Sequence, residues 1–140
     1  MGWYVHIHVA FSCDENEPVA KIAAKHLPLV EDVNDGARAA RWFLESLAGR
    51  TGRNPGPKGG LSLWGMVGNY TKGDDFVEAL MAFWKELFKS GTVFDFHRIL
   101  VFTEQEQSEA ADAWQIGYDE ETCEVVVKEF SGLPFSWGQN

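Results

Sequence analysis

The chain has 140 residues, 45% hydrophobic, 14% aromatic and 24% charged, which suits one compact domain. Ten Phe and six Trp exclude wholesale disorder, no apolar run approaches the roughly 20 residues needed to cross a bilayer, and a (β/α)₈ barrel of about 250 residues does not fit. The net charge of −9 falls entirely within residues 61–140, where five basic side chains stand against fourteen acidic ones, a balance that repels nucleic-acid backbones and anionic membranes.

Trp3 to Phe11 reads as a strand, because Val5, Ile7, Val9 and Phe11 alternate with Tyr4, His6, His8 and Ala10. A first helix is expected over Glu17–Leu27, capped by Asn16, with Val19, Ile22, Ala23 and His26 on one face. Pro28 stops it. Asn34-Asp35-Gly36 opens a second helix, Ala37–Ala48, whose stripe is Ala40, Phe43, Leu44 and Leu47. Arg50 to Gly60 holds four glycines, two prolines and three cations and reads as a surface loop.

Leu61–Val67 is the second strand, weakened by Gly65. Asp75–Ser90 is the strongest helix. Its apolar residues, from Phe76 and Val77 to Leu87 and Phe88, cover more than one stripe, so it is buried on two sides or offers a face to a partner. Val93–Phe102 is a third strand, and Glu104–Ala113 a short helix or turn. Ala113–Tyr118 and Cys123–Phe130 form a hairpin around Asp119–Thr122. The aromatic tail, residues 131–140, is too apolar to hang free and is expected to pack back.

The order β-α-α-β-α-β-β-β argues for a single α+β domain over residues 1–140. Its expected form is two layers: a roughly five-stranded, mostly antiparallel sheet with about three helices. Cys13 and Cys123 form no C-x-x-C and are too few for a disulfide framework; they read as buried free thiols in a reducing compartment. The N-terminus lacks the cations and long apolar core of a secretory signal, so a cytoplasmic location is expected.

His6-Ile7-His8 is the most suggestive constellation, because residues two apart on a strand face one way. Asp95 and His97 share a face in the same manner. Were these two strands to pair in register, His6, His8, His97 and Asp95 would offer ligands for zinc or iron. Known H-x-H families do not fit: a histidine triad needs a third alternating His where Ala10 stands, and two-histidine phosphoesterases need Ser or Thr two residues beyond His6 and His97, where His8 and Ile99 stand. Cys13 follows a strand and precedes a helix, a place that activates thiols, but Asp14 and Glu15 beside it work against the thiolate. The basic loop lacks the phosphate-binding G-x-x-x-x-G-K-[ST] pattern, since Gly59 follows Lys58.

With no catalytic signature, the leading expectation is a non-enzymatic protein-binding module, in one version an inhibitor or immunity-like protein. Its partner would carry a basic surface, because nine carboxylates and one lysine lie between Thr103 and Phe130. Self-association as a homodimer is a second version. The alternatives are a small metal-dependent or histidine-based hydrolase using His6, His8 and His97, and a small-molecule binding fold.

Overall fold

A computed structural model describes residues 4–12, 16–49, 61–69, 72–92, 99–105 and 110–134. Five strands form one sheet: β1 (Tyr4–Ser12), β2 (Leu61–Asn69), β3 (Ile99–Gln105), β4 (Ala110–Asp119) and β5 (Glu124–Pro134). Their order is β2-β1-β3-β4-β5, with every neighbouring pair antiparallel. The helices are α1 (Asn16–His26), α2 (Asp35–Ala48), α3 (Gly73–Ala79) and α4 (Met81–Lys89), with a 3-10 turn at Leu27–Leu29. The α+β class and the element order match the expectation, apart from the division of the third helix.

Alternation decides which face of the sheet meets the helices. Val5, Ile7, Val9 and Phe11 of β1 are buried, as are Ile99 and Val101 of β3 and Trp114 and Ile116 of β4. These residues pack with Ala40, Phe43, Leu44 and Leu47 of α2 and with Val19, Ile22 and Ala23 of α1. Each large aliphatic or aromatic side chain so placed is worth about 1.5–3 kcal/mol over exposure. Asn34 caps α2, its side chain accepting from the Ala37 N–H at 2.7 Å. This satisfies one of the four amides that a helix start leaves unpaired.

The expected helix Asp75–Ser90 breaks at Leu80, whose φ of −105° and ψ of 11° leave the helical range. No Gly or Pro causes the break; packing does. Phe76, Val77 and Leu80 are buried, and so are Phe83, Trp84, Leu87 and Phe88, more than one straight stripe can hide. At the break the Val77 carbonyl accepts from the Leu80 backbone N–H and from the Trp84 indole N–H, each at 3.2 Å. The wide apolar girth is therefore spent on the interior and is not offered to a partner.

The C-terminal third also departs from expectation. Residues 103–105 continue β3 and Ala110 opens β4, so Glu104–Ala113 is strand at both ends. A register shift between Ala111 and Ala113 absorbs the irregularity. Strand β5 runs to Pro134 and takes up the start of the expected tail; residues 135–140, the Arg50–Gly60 loop and Val93–Arg98 lie outside the described residues. Cys123 is exposed, not buried, and sits in the hairpin turn at a φ of 57°. Cys13 lies outside the described residues.

Gly73 opens α3 directly beneath β3 and β4. A methyl group there would overlap the Trp114 indole and crowd the Thr103 methyl. Gly73→Ala is expected to destabilise the fold by about 1–3 kcal/mol, read from denaturant unfolding. Helix propensity alone would give the opposite sign, a gain of up to about 1 kcal/mol.

Candidate functional site

The helices cover one side of the sheet, and the other side carries the alternate side chains of β1, β3, β4 and β5. Register places them in rows. His8 stands beside Phe102, Phe102 beside Ala113, and Ala113 beside Phe130. The next row runs Ala10, Leu100, Gln115, Lys128. Within these rows Leu100 is 45% exposed and Phe130 38%, and Val126, paired with Gly117, is 52% exposed. The Lys128 ammonium lies 5.2 Å from the centre of the Phe130 ring, a cation–π distance. Small Ala113 between two phenylalanines leaves a dip in an otherwise raised aromatic ledge.

His6 and His8 do share this open face, as their spacing implies. His8 is held on three sides: its ring stacks on Phe102 at 4.6 Å and 15°, the His6 ring lies 6.4 Å away, and its Nε2–H donates to Glu104 Oε1 at 3.0 Å. His6 is the direct cross-strand neighbour of Glu104. The residue that β3 delivers to the histidine pair is thus Glu104, a carboxylate of the segment expected to form a short helix or turn. Alternation along Leu100, Phe102 and Glu104 could have signalled it, once the strand was carried past Phe102. Asp95 and His97, the other two proposed metal ligands, lie outside the described residues. Among the described residues no three His, Cys, Asp or Glu side chains stand close enough together to hold a metal ion.

A His–Glu pair can orient an imidazole and strengthen it as a base. Turning that into nucleophilic chemistry needs a reacting side chain within hydrogen-bond reach. Cys123, the exposed thiol, is in the β4–β5 turn, with β3 and β4 between it and His8. Near that turn, Gln115, Gly117, Tyr118, Val126 and Lys128 border an open hollow of about 450 Å³. Desolvation, and then the neighbouring Cys123 thiol, push the Tyr118 phenol above its ordinary value. The hollow opens broadly to solvent and does not enclose a ligand in the manner of a small-molecule site.

The fourth histidine is structural. His26 is buried at the α1–α4 contact, where its Nε2–H donates to Glu86 Oε1 at 2.8 Å and Lys25 Nζ donates to the same oxygen at 2.9 Å. The hydrogen bond from Lys25 first, and that from His26 second, hold the Glu86 carboxyl below its usual value. A carboxylate depressed on folding adds stability above its unfolded pKa, and that contribution disappears as pH falls through the folded one. Glu86→Gln is therefore expected to cost about 1 kcal/mol or less at pH 7, since the pair is partly exposed. It should also flatten the loss of stability on acidification below about pH 4.5 in urea unfolding curves collected across pH.

Among the described residues, no helix is long and apolar enough to cross a membrane. No protein-family model, curated protein or solved structure matches the chain.

Proposed function

We propose that this protein is a non-enzymatic protein-binding module that engages its partner through the open face of the sheet. The observation that carries the reading is the unbroken cross-strand row His8, Phe102, Ala113, Phe130, flanked by exposed Leu100 and Val126. Aromatic and aliphatic side chains at the centre of a surface, with polar groups around them, are the usual make-up of an interface core. An aromatic sheet face can also stack nucleobases. The charge argues against that use here, because nine carboxylates and one lysine occupy Thr103–Phe130, the segment that builds three of the strands, and a phosphate chain would be repelled.

The same charge selects a partner with a basic rim around an apolar centre, and speeds the encounter at low salt. An inhibitor that covers a basic active-site surface is one form of such a module. A histidine-based hydrolase is the second reading, favoured by the 3.0 Å bond between His8 and Glu104.

The test is affinity capture with the wild type and with a Leu100→Asp, Phe130→Asp double variant, followed by hydrogen exchange on the purified complex. The expected result is protection of β3, β4 and β5 on binding. The variant should bind about a hundredfold or more weakly, at roughly 1–2 kcal/mol for each lost anchor. A footprint on the helices, or equal binding by the variant, would remove the open face from consideration. Stoichiometric zinc or iron in the wild type that is lost in His8→Ala would move the assignment to metal-dependent chemistry.

A further inference from the structure

Strand β5 ends the sheet, and among the described residues no strand pairs with its outer edge along Glu124–Lys128. This segment is regular: Asp119 to Gln115 of β4 pair with Glu124 to Lys128 without a shift, and the irregularity between Ala111 and Ala113 lies at the far end. Apolar side chains are exposed on both faces of this edge. Val126 points to the open side, and Val127, on the helix side, is 37% exposed because the helix layer does not cover it. A regular edge strand with valines on both faces and neither proline nor bulge is a template for another strand.

The order of side chains identifies that other strand. Glu124-Val125-Val126-Val127-Lys128 is self-complementary when read against itself antiparallel. Glu124 of one copy then meets Lys128 of the other, twice by symmetry. Val125 meets Val127, and Val126 meets its own counterpart on the two-fold axis. Within one chain Glu124 stands directly across from Asp119, and facing like charges are unfavourable. The incoming Lys128 places a cation beside that pair. We infer that a second copy of this chain docks along the β5 edge, pairing Glu124–Lys128 antiparallel with itself about Val126.

The two sheets would join into one continuous sheet of ten strands. A two-fold axis normal to that sheet keeps both aromatic ledges on the same side, so a dimer presents two binding faces in one plane and gains avidity for a repeated partner. The pairing does not depend on what the open face binds. Glu124–Lys128 supplies far fewer residues than the roughly 20–30 a side of a standard stable interface, so weak pairing is expected, with a dissociation constant on the order of 10–100 µM.

Sedimentation equilibrium of the full chain from about 10 µM to 1 mM tests this. The mass should rise from one chain towards two. Lys128→Glu should raise the dissociation constant roughly tenfold, because both charge pairs turn repulsive. Mixing Lys128→Glu with Glu124→Lys should restore association as a heterodimer, and the double reversal in one chain should restore the homodimer. Both positions are exposed, so the reversal also shows that the fold tolerates the changes. A single-chain mass at every concentration, a dimer indifferent to Lys128→Glu, or failure of the mixed charge variants to associate would each overturn the proposal.

Discussion

A β-strand sends successive side chains to opposite sides, and among the described residues the helices cover one side only. That constraint organises the rest of the molecule. It sorts β1 into a buried set, Val5, Ile7, Val9 and Phe11, and an outward set that includes His6 and His8. It does the same to β3, where Ile99, Val101 and Thr103 are buried while Leu100 is exposed. The outward set carries the His6–His8 pair on β1 and, from β3 to β5, Leu100, Phe102, Val126 and Phe130 set among Gln115, Lys128 and Glu124.

The helix layer is dense enough to do its half of the work alone. Phe43 meets Phe76 edge-on at 5.7 Å and Phe83 at 6.1 Å, and Trp84 lies 5.9 Å from it. Such edge-to-face contacts add to the area buried. Phe76 reaches the Phe43 ring from α3 and Phe83 and Trp84 from α4, so both sides of the break at Leu80 meet on one residue of α2. Towards β5 the layer thins. Phe88 stacks on Tyr118 at 5.8 Å, and beyond that contact the sheet extends past its cover.

Much of this was legible in the residues, and what was not follows from distance along the chain. Local alternation identified β1 and its buried face, and Asn34 marked the start of α2 because capping acts over three residues. The open face itself was not legible, since it depends on which strands are neighbours. Asp95 and His97 lie outside the described residues, and Glu104, the residue that the β1–β3 pairing sets beside His6, is identified only by register. The break at Leu80 left no mark because neither Gly nor Pro causes it. Cys123 was counted among buried thiols on the average habit of free cysteine, whereas hairpin closure put it in an exposed turn.

Placing β1 between β2 and β3 has a consequence for how the chain must be assembled. The His8–Glu104 hydrogen bond joins residues 96 positions apart, and the first flanking strand begins only at Leu61. Contacts that close such long spans slow the search for the native arrangement. On the ribosome, at about 5–20 residues per second, the two edges of β1 therefore wait several seconds for their strands, whereas α1 and α2, which cover its apolar side, follow it sooner. A nascent chain in that interval is exposed to misassembly, and holding factors that bind short extended apolar segments would find Val5–Phe11 with both edges unpaired before β2 and β3 arrive.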